Sequence, residues 1–320
     1  MINSEANDAS PNVADISSLL SDVYERFRIG GFAETDDLLE RALSADYDNA
    51  EVLTAMKSAH YWNDRVSRLS DIADDFSRGE YLLKQWVAFL QFLEAEQNVC
   101  EQGVFSVKQW VFGQALGYFM RLLETTDGQD PEILVRIGRC YKGKGNFKQA
   151  LEYFEACSHQ RTDDPQILAE LADCYAHINE MKASKVFFRE AFFIDPQRID
   201  LDSLESTMIH RLVERVRGAG LGGPALLEWI PVYGVLFGVF NVKRELRSLE
   251  YGKLKQSIYA LESTIADEGR KDFSLEPRLL NRYFWLIDHY LAANDDRDKI
   301  DDVIAKIKNI NPTIYEQYIN

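Results

Sequence analysis

The chain has 320 residues, of which 46% are hydrophobic, so it can bury a substantial core and is not a mostly disordered protein. Its formal net charge of −16 argues against binding to free DNA or RNA, because neutralising phosphates takes clustered Lys and Arg. Most of the excess lies in residues 1–80, which hold 17 acidic and 7 basic side chains. This acidic end either keeps the protein soluble or docks a partner.

Cysteine usage and the first residues predict a cytoplasmic location. Four cysteines are far too few for a disulfide scaffold in a chain of this length, so reduced thiols are expected. Residues 1–10 lack the basic start and the apolar core of a signal peptide. An exported form stays open, since a signal or lipid anchor trimmed from the chain would leave no trace.

The N-terminal part of the chain shows helical periodicity without a clear repeat. Residues 1–15 are expected to be a flexible N-terminus, and residues 16–130 to form degenerate helical repeats. The apolar spacing predicts a helical pair over 16–49, a helix over 50–68, a loop over 70–79, and two long aromatic-rich helices over 80–97 and 106–125. The last two could be one enlarged hairpin.

An internal repeat of 34 residues occupies the middle of the chain, residues 131–198. Asp130-Pro131 recurs as Asp164-Pro165, and behind each pair two apolar runs follow helical spacing. The matched positions are Leu134, Ile137, Gly138, Tyr141, Phe154 and Cys157 in the first copy and Leu168, Leu171, Ala172, Tyr175, Phe188 and Ala191 in the second. Each copy is therefore predicted to be a helical hairpin.

The two copies resemble tetratricopeptide repeats, whose pattern is W-x2-L-G-x2-Y, then A-x3-F, then P. The departures are Leu134 and Leu168 in place of Trp, Ser184 in place of Ala, and Thr162 in place of the closing Pro. The resemblance implies an all-α superhelical solenoid of antiparallel helix pairs, with degenerate repeats elsewhere, in a bacterial-type protein of this family.

The C-terminal helical region, residues 199–320, shows a weaker form of the same pattern. A terminal pair that resembles the repeat is predicted over 277–312, with the second helix of a preceding hairpin over 253–267. The glycine-rich stretch 218–224 lacks the P-loop and dinucleotide-binding signatures, so we interpret it as a hinge between two lobes.

The resemblance also implies that a concave groove holds a peptide or helix of a partner protein. Arg136, Arg139 and Lys142, which we call the basic stripe, lie three residues apart on one helix. Together with Tyr141 they predict contacts to an acidic or amphipathic segment of that partner. By the same analogy the groove also includes Asp173 and His177. The alternative role of Arg139 and Asp173 is an ion pair between neighbouring repeats.

The apolar segment, residues 225–242, allows several interpretations. Glu228 and Pro231 interrupt it and it is short for a membrane span, so membrane contact is not favoured over a buried linker or an exposed surface for self-assembly. A competing functional hypothesis is a small-molecule or lipid pocket built from Trp229, Tyr233, Phe237 and Phe240. A closed pocket would favour that hypothesis, and an open groove would favour a protein-binding adaptor or scaffold.

The sequence predicts no enzyme, no cofactor and no metal site. Neither an HExxH nor a GxSxG motif occurs, and the five histidines are scattered. The cysteines and histidines between 140 and 177 lack the paired spacing of structural zinc ligands.

Overall fold

The computed structural model describes residues 13–96, 100–125, 129–243, 245–268 and 272–320. Within these ranges the backbone forms fifteen α-helices and three short 3-10 helices, with no β-strand. The predicted all-α class of repeated helix pairs is confirmed. Most of the N-terminus that was expected to be flexible lies outside the described residues. None of the helices within those ranges is long and apolar enough to span a membrane.

The chain divides into two compact units, residues 1–153 and 154–320. The helices of the first unit are α1 (Val13–Ile29), α2 (Asp36–Ala45), α3 (Ala50–Leu69), α4 (Asp75–Glu96), α5 (Glu101–Thr125), α6 (Pro131–Gly143) and the first half of α7 (Phe147–Gln160). Helix α5 packs against α1, α4 and α6. The rings of Phe32, Trp62 and Trp110 meet in the core, with centroids 5.0 to 6.2 Å apart.

Two helices of the first unit begin earlier than the apolar pattern predicts. Helix α4 begins within the predicted loop, because the Asp74 carboxylate accepts a hydrogen bond from the Ser77 N–H (2.8 Å) and caps the first turn. Helix α5 begins at Glu101, where the Cys100 carbonyl accepts from the Val104 N–H (3.0 Å). Each first turn contains a single large apolar residue, Phe76 in α4 and Val104 in α5, which is too few for apolar periodicity to reveal the helix start.

The two 34-residue copies fold alike. The first is α6 with α7, and the second is α8 (Pro165–His177) with α9 (Met181–Ile194). Asp130 and Asp164 cap α6 and α8, each accepting a backbone N–H two residues on. The turns match as well, because Gly145 and Asn179 both take the left-handed conformation, with φ of 80° and 66°.

The second unit continues with α9 and six further helices, of which α13 is central. They are α10 (Thr207–Gly218), α11 (Gly223–Leu236), α12 (Ser248–Glu268), α13 (Leu275–Ala292), α14 (Arg297–Ile310) and α15 (Pro312–Ile319). Helix α13 packs against α11, α12 and α14. The terminal pair α13 and α14 turns at Asn294, again with positive φ, and the Asp295 N–H donates to the Tyr290 carbonyl (2.9 Å). Residues 218–224 lie inside this unit.

The apolar segment is not one continuous helix. Helix α11 ends at Leu236, and the chain then turns back through Gly238, whose φ is +68°. The Phe240 N–H donates to the Gly234 carbonyl (2.8 Å), and a Cβ at Gly234 would lie 2.3 Å from the Phe240 ring. The two glycines therefore serve a tight turn and a close packing contact.

The one charged residue of the apolar segment is fully buried and paired. Arg278 of α13 donates to the Glu228 carboxylate through Nε (2.9 Å) and a terminal nitrogen (2.6 Å), and Gln197 donates to it at 3.0 Å. A buried charge needs such partners, since leaving it alone costs several kcal/mol, on the order of 3 to 5. Glu228 thus joins α11 to α13.

Candidate functional site

The basic stripe on α6 is occupied by contacts within the first unit. Arg136 donates to Glu80 of α4 (2.7 Å) and to Glu132 (2.8 Å), and its guanidinium lies 4.8 Å from the centre of the Phe76 ring. Burial acts to lower the pKa of Arg136, but the hydrogen bonds to the two carboxylates outweigh it, so the pKa is raised. Arg136 therefore ties α6 to α4.

The remaining residues around the stripe are also engaged in packing. Lys142 is 3% exposed, and a Cβ on the adjacent Gly143 would lie 2.5 Å from the Phe112 ring of α5. Tyr141 stacks on Tyr153 of α7, with centroids 5.4 Å apart. Arg139 is half-buried. This face of α6 is closed by its neighbours, and its role in partner binding stays a prediction.

The face of α8 that was predicted to line a groove is covered by the chain itself. Asp173 is fully buried, and its carboxylate accepts the backbone N–H groups of Glu205 (2.9 Å) and Ser206 (2.7 Å). The Gln166 side chain accepts the Asp200 N–H (2.6 Å) and donates to the Ser203 hydroxyl. Asp173 thus anchors residues 205 and 206, Gln166 anchors residues 200 and 203, and a role of this face in partner binding stays a prediction. His177 is exposed at the end of α8.

An open groove that the sequence did not predict lies between α3 and α4. We call it the α3–α4 groove; its volume is about 520 Å³ and it is lined by Met56, Lys57, His60, Tyr61, Arg65 and Phe92. No carboxylate lines it. The α3 residues follow ordinary helical spacing, so the sequence alone gave no reason to separate them from a solvated helix face.

Ordered aromatic and guanidinium groups form the floor of this groove. The Arg65 guanidinium lies 3.5 Å from the centre of the Tyr61 ring, within cation–π range. Arg65 is held by the Gln85 side chain (3.3 Å), the Tyr61 carbonyl (3.0 Å) and the Asp64 carboxylate (3.3 Å). Tyr61 in turn stacks on Phe92, with centroids 5.2 Å apart. The groove therefore offers an apolar floor with a cationic edge, fixed in place before any ligand arrives.

The four aromatic residues proposed as an apolar pocket do not enclose one. Trp229, Tyr233 and Phe237 form a row along α11, with successive centroids 6.0 and 5.5 Å apart. Phe240 is 1% exposed and packs against Phe192 of α9, because the turn after α11 folds it back. Tyr233 and Phe237 of this row instead line an open groove of about 460 Å³ together with α10. The closed pocket is not supported.

The cysteines have a packing role. Cys140, Cys157 and Cys174 are buried free thiols, and burial raises the pKa of Cys140. Within the described ranges, no three His, Cys, Asp or Glu side chains come together in a way that could hold a metal ion. The buried Glu228 carboxylate of α11 pairs with the partly exposed Arg278 of α13.

The comparison with protein families agrees with the repeated fold. No curated protein sequence matches the chain. Residues 142–206 match the family model described as the tetratricopeptide repeat. The match runs from the end of α6 through α7, α8 and α9, the hairpins that share the Gly145 and Asn179 turns. Residues 142–206 are therefore similar to a tetratricopeptide repeat, which agrees with the resemblance of the two 34-residue copies.

Proposed function

We propose that the chain is a non-enzymatic adaptor that binds a segment of another protein in the α3–α4 groove. Helical repeat stacks present long helix faces, and their usual ligands are extended or helical segments of partner proteins. The tetratricopeptide match supports this class of function. The reduced state expected of the buried thiols supports the cytoplasm as its location.

The observation that carries the proposal is the open, carboxylate-free lining of the α3–α4 groove. The predicted binding faces of α6 and α8 are filled by contacts within the chain, whereas Lys57, His60 and Arg65 edge a cleft that is accessible to a ligand. These three nitrogen-bearing side chains lie within residues 1–80, a stretch in which acidic side chains outnumber basic ones by ten. An acidic or amphipathic segment matches this lining.

The geometry indicates how such a segment would bind. An apolar side chain lies on the Tyr61 and Phe92 rings, where burying a Leu or Phe contributes about 1.5 to 3 kcal/mol. Carboxylates beside it meet Lys57 and His60 at the edge, since Arg65 is already paired with Asp64 (3.3 Å). Charge pairs there mainly set specificity and the association rate, and they weaken with salt.

The test is to select peptides from a displayed random library on the full chain and to measure their affinity by fluorescence anisotropy. We expect acidic peptides with apolar anchors, and about a ten-fold or larger loss of affinity for the double variant Lys57→Glu, His60→Glu. The matched control, Arg68→Glu with Lys84→Gln, makes the same change in net charge at two exposed positions of the same helices outside the groove, with His60 counted as neutral. Equal losses in both variants would contradict the assignment, as would peptides without acidic residues.

A further inference from the structure

Helix α10 carries cations that nothing in the described part of the chain neutralises. Arg211 and Arg215 lie one turn apart on its exposed side, and neither forms an ion pair with a described residue. Arg217 on the same helix differs, since it pairs with Glu214 at 2.9 Å. The arginine guanidinium is planar and weakly hydrated and can bind a carboxylate through two hydrogen bonds, so two neighbouring arginines without an ion pair are available to a ligand.

The aromatic row of α11 forms the opposite wall. The Arg215 guanidinium lies 5.0 Å from the centre of the Phe237 ring, and Phe237 is 37% exposed. The groove between the walls is lined by Arg215, Gly218, Tyr233, Leu236, Phe237 and Gln317. Gly218 adds no side chain, and a Cβ there would meet nothing within 4 Å, so the groove has room for a ligand. We call this region the α10–α11 surface.

We propose that the α10–α11 surface is a second docking surface, independent of the α3–α4 groove, that binds an acidic amphipathic segment of a partner protein. Its carboxylates would pair with Arg211 and Arg215, and its apolar side chains would cover the row of Trp229, Tyr233 and Phe237. Trp, Tyr and Arg are the residues that dominate binding energy at protein interfaces.

Charge complementarity distinguishes the three candidate occupants of this surface, which are a second copy of the chain, an anionic membrane and an acidic peptide segment. A second copy of the chain carries a net charge of −16 and is repelled by the first, although an acidic segment of it could be attracted locally. An anionic membrane offers negative charge, but a flat bilayer surface does not enter the groove in which Tyr233 and Phe237 lie. A short acidic segment with apolar side chains matches both walls.

The experiment uses the peptides selected from the displayed library on the full chain. Each peptide is assigned to one surface according to which double variant abolishes its binding, the one in the α3–α4 groove or the one on α10. The proposal predicts a class rich in Asp or Glu next to apolar residues that loses about ten-fold or more in affinity for Arg211→Glu, Arg215→Glu. Replacing the acidic residues of such a peptide with Lys should restore binding to that variant. Phe237→Ala should weaken the same class.

The matched control is Arg217→Glu with Lys182→Glu, which makes the same change in net charge away from the groove. Peptides of this class should bind it as they bind the wild type. Circular dichroism checks that each variant keeps its helices.

Four outcomes overturn the proposal. The library yields no peptide that depends on Arg211 and Arg215, or the dependent peptides carry no acidic excess. Vesicles of phosphatidylcholine and phosphatidylserine bind with that dependence while peptides do not. Sedimentation shows self-association that the double variant abolishes. If all peptides depend on Lys57 and His60 alone, the proposed function stands and this second surface is rejected.

Discussion

Helix α6 in the first unit and helix α10 in the second both carry basic residues at helical spacing, but only one set is neutralised. Arg136 of α6 is held by Glu80, Glu132 and the Phe76 ring. Arg211 of α10 has no carboxylate partner within the described ranges. The contrast shows that clustered cations in a sequence do not by themselves mark a binding surface. What matters is whether another helix supplies the counter-charge.

Residues whose charge is satisfied within the fold should affect stability, and residues whose charge is unsatisfied should affect binding. Variants of both kinds test that distinction.

The largest effect on stability is expected at the ion pair between Glu228 of α11 and Arg278 of α13. Arg278→Ala leaves the fully buried Glu228 carboxylate without its main partner, which should lower the free energy of unfolding by about 3 to 5 kcal/mol. Urea unfolding followed by circular dichroism measures it. The double variant Glu228→Leu, Arg278→Met should cost less than Arg278→Ala alone, because no buried charge remains. A loss below about 1 kcal/mol for Arg278→Ala would show that the pair is not buried as described.

A pair of glycine substitutions tests which helix face is closed. Gly143→Ala places a Cβ against the Phe112 ring of α5, and we expect a loss of about 1 to 3 kcal/mol in the free energy of unfolding. Gly218→Ala meets open space and ends α10 with a better helix former, so stability should stay the same or rise by up to about 1 kcal/mol. Thermal unfolding of both variants makes the comparison. Equal effects would mean that the α6 face is as open as α10.

Arg136 and Arg211 should differ in the same way, since the first is expected to affect stability and the second to affect binding. Arg136→Ala removes two ion pairs and a contact with the Phe76 ring, at a cost of about 1 kcal/mol in the free energy of unfolding. Arg211→Ala should stay within about 0.5 kcal/mol of the wild type. Binding of the peptides selected on the α10–α11 surface should show the opposite order: Arg211→Ala should weaken it, and Arg136→Ala should leave it unchanged. If Arg136→Ala abolishes peptide binding without loss of stability, the basic stripe is a binding site after all.

The smallest effect concerns an engaged carboxylate. Burial acts to raise the pKa of Glu262, but hydrogen bonds from Lys306 (2.8 Å) and Tyr283 (2.6 Å) outweigh it, so the pKa lies below the ordinary 4.5. Its contribution to stability is therefore present above pH 4.5 and lost as pH falls through the folded-state pKa. Glu262→Gln should reduce this acid-side loss, by less than about 1 kcal/mol. The measurement is the unfolding free energy of the wild type and of Glu262→Gln at a series of pH values. An identical pH dependence in the two proteins would contradict a stabilising role of the Glu262 carboxylate.

Much of the helical structure could be predicted because its signals are local. The 34-residue offset, the Asp-Pro caps and the apolar spacing all act within one or two turns. The first turns of α4 and α5 escaped prediction because each contains only one large apolar residue. The four aromatic residues near 229–240 could not be placed together or apart, since the turn at Gly238 decides which way Phe240 points.

The all-α class, the two matching hairpins and the acidic character of the N-terminal end could all be inferred from the amino-acid sequence. Helical periodicity relates residues three or four apart, and the sequence shows that directly. Only the tertiary structure decided which polar residues are engaged, because their partners lie far along the chain. Glu80 is 56 residues from Arg136, and Ser206 is 33 residues from Asp173. The open and closed faces of these helices are therefore properties of packing, which no local pattern encodes.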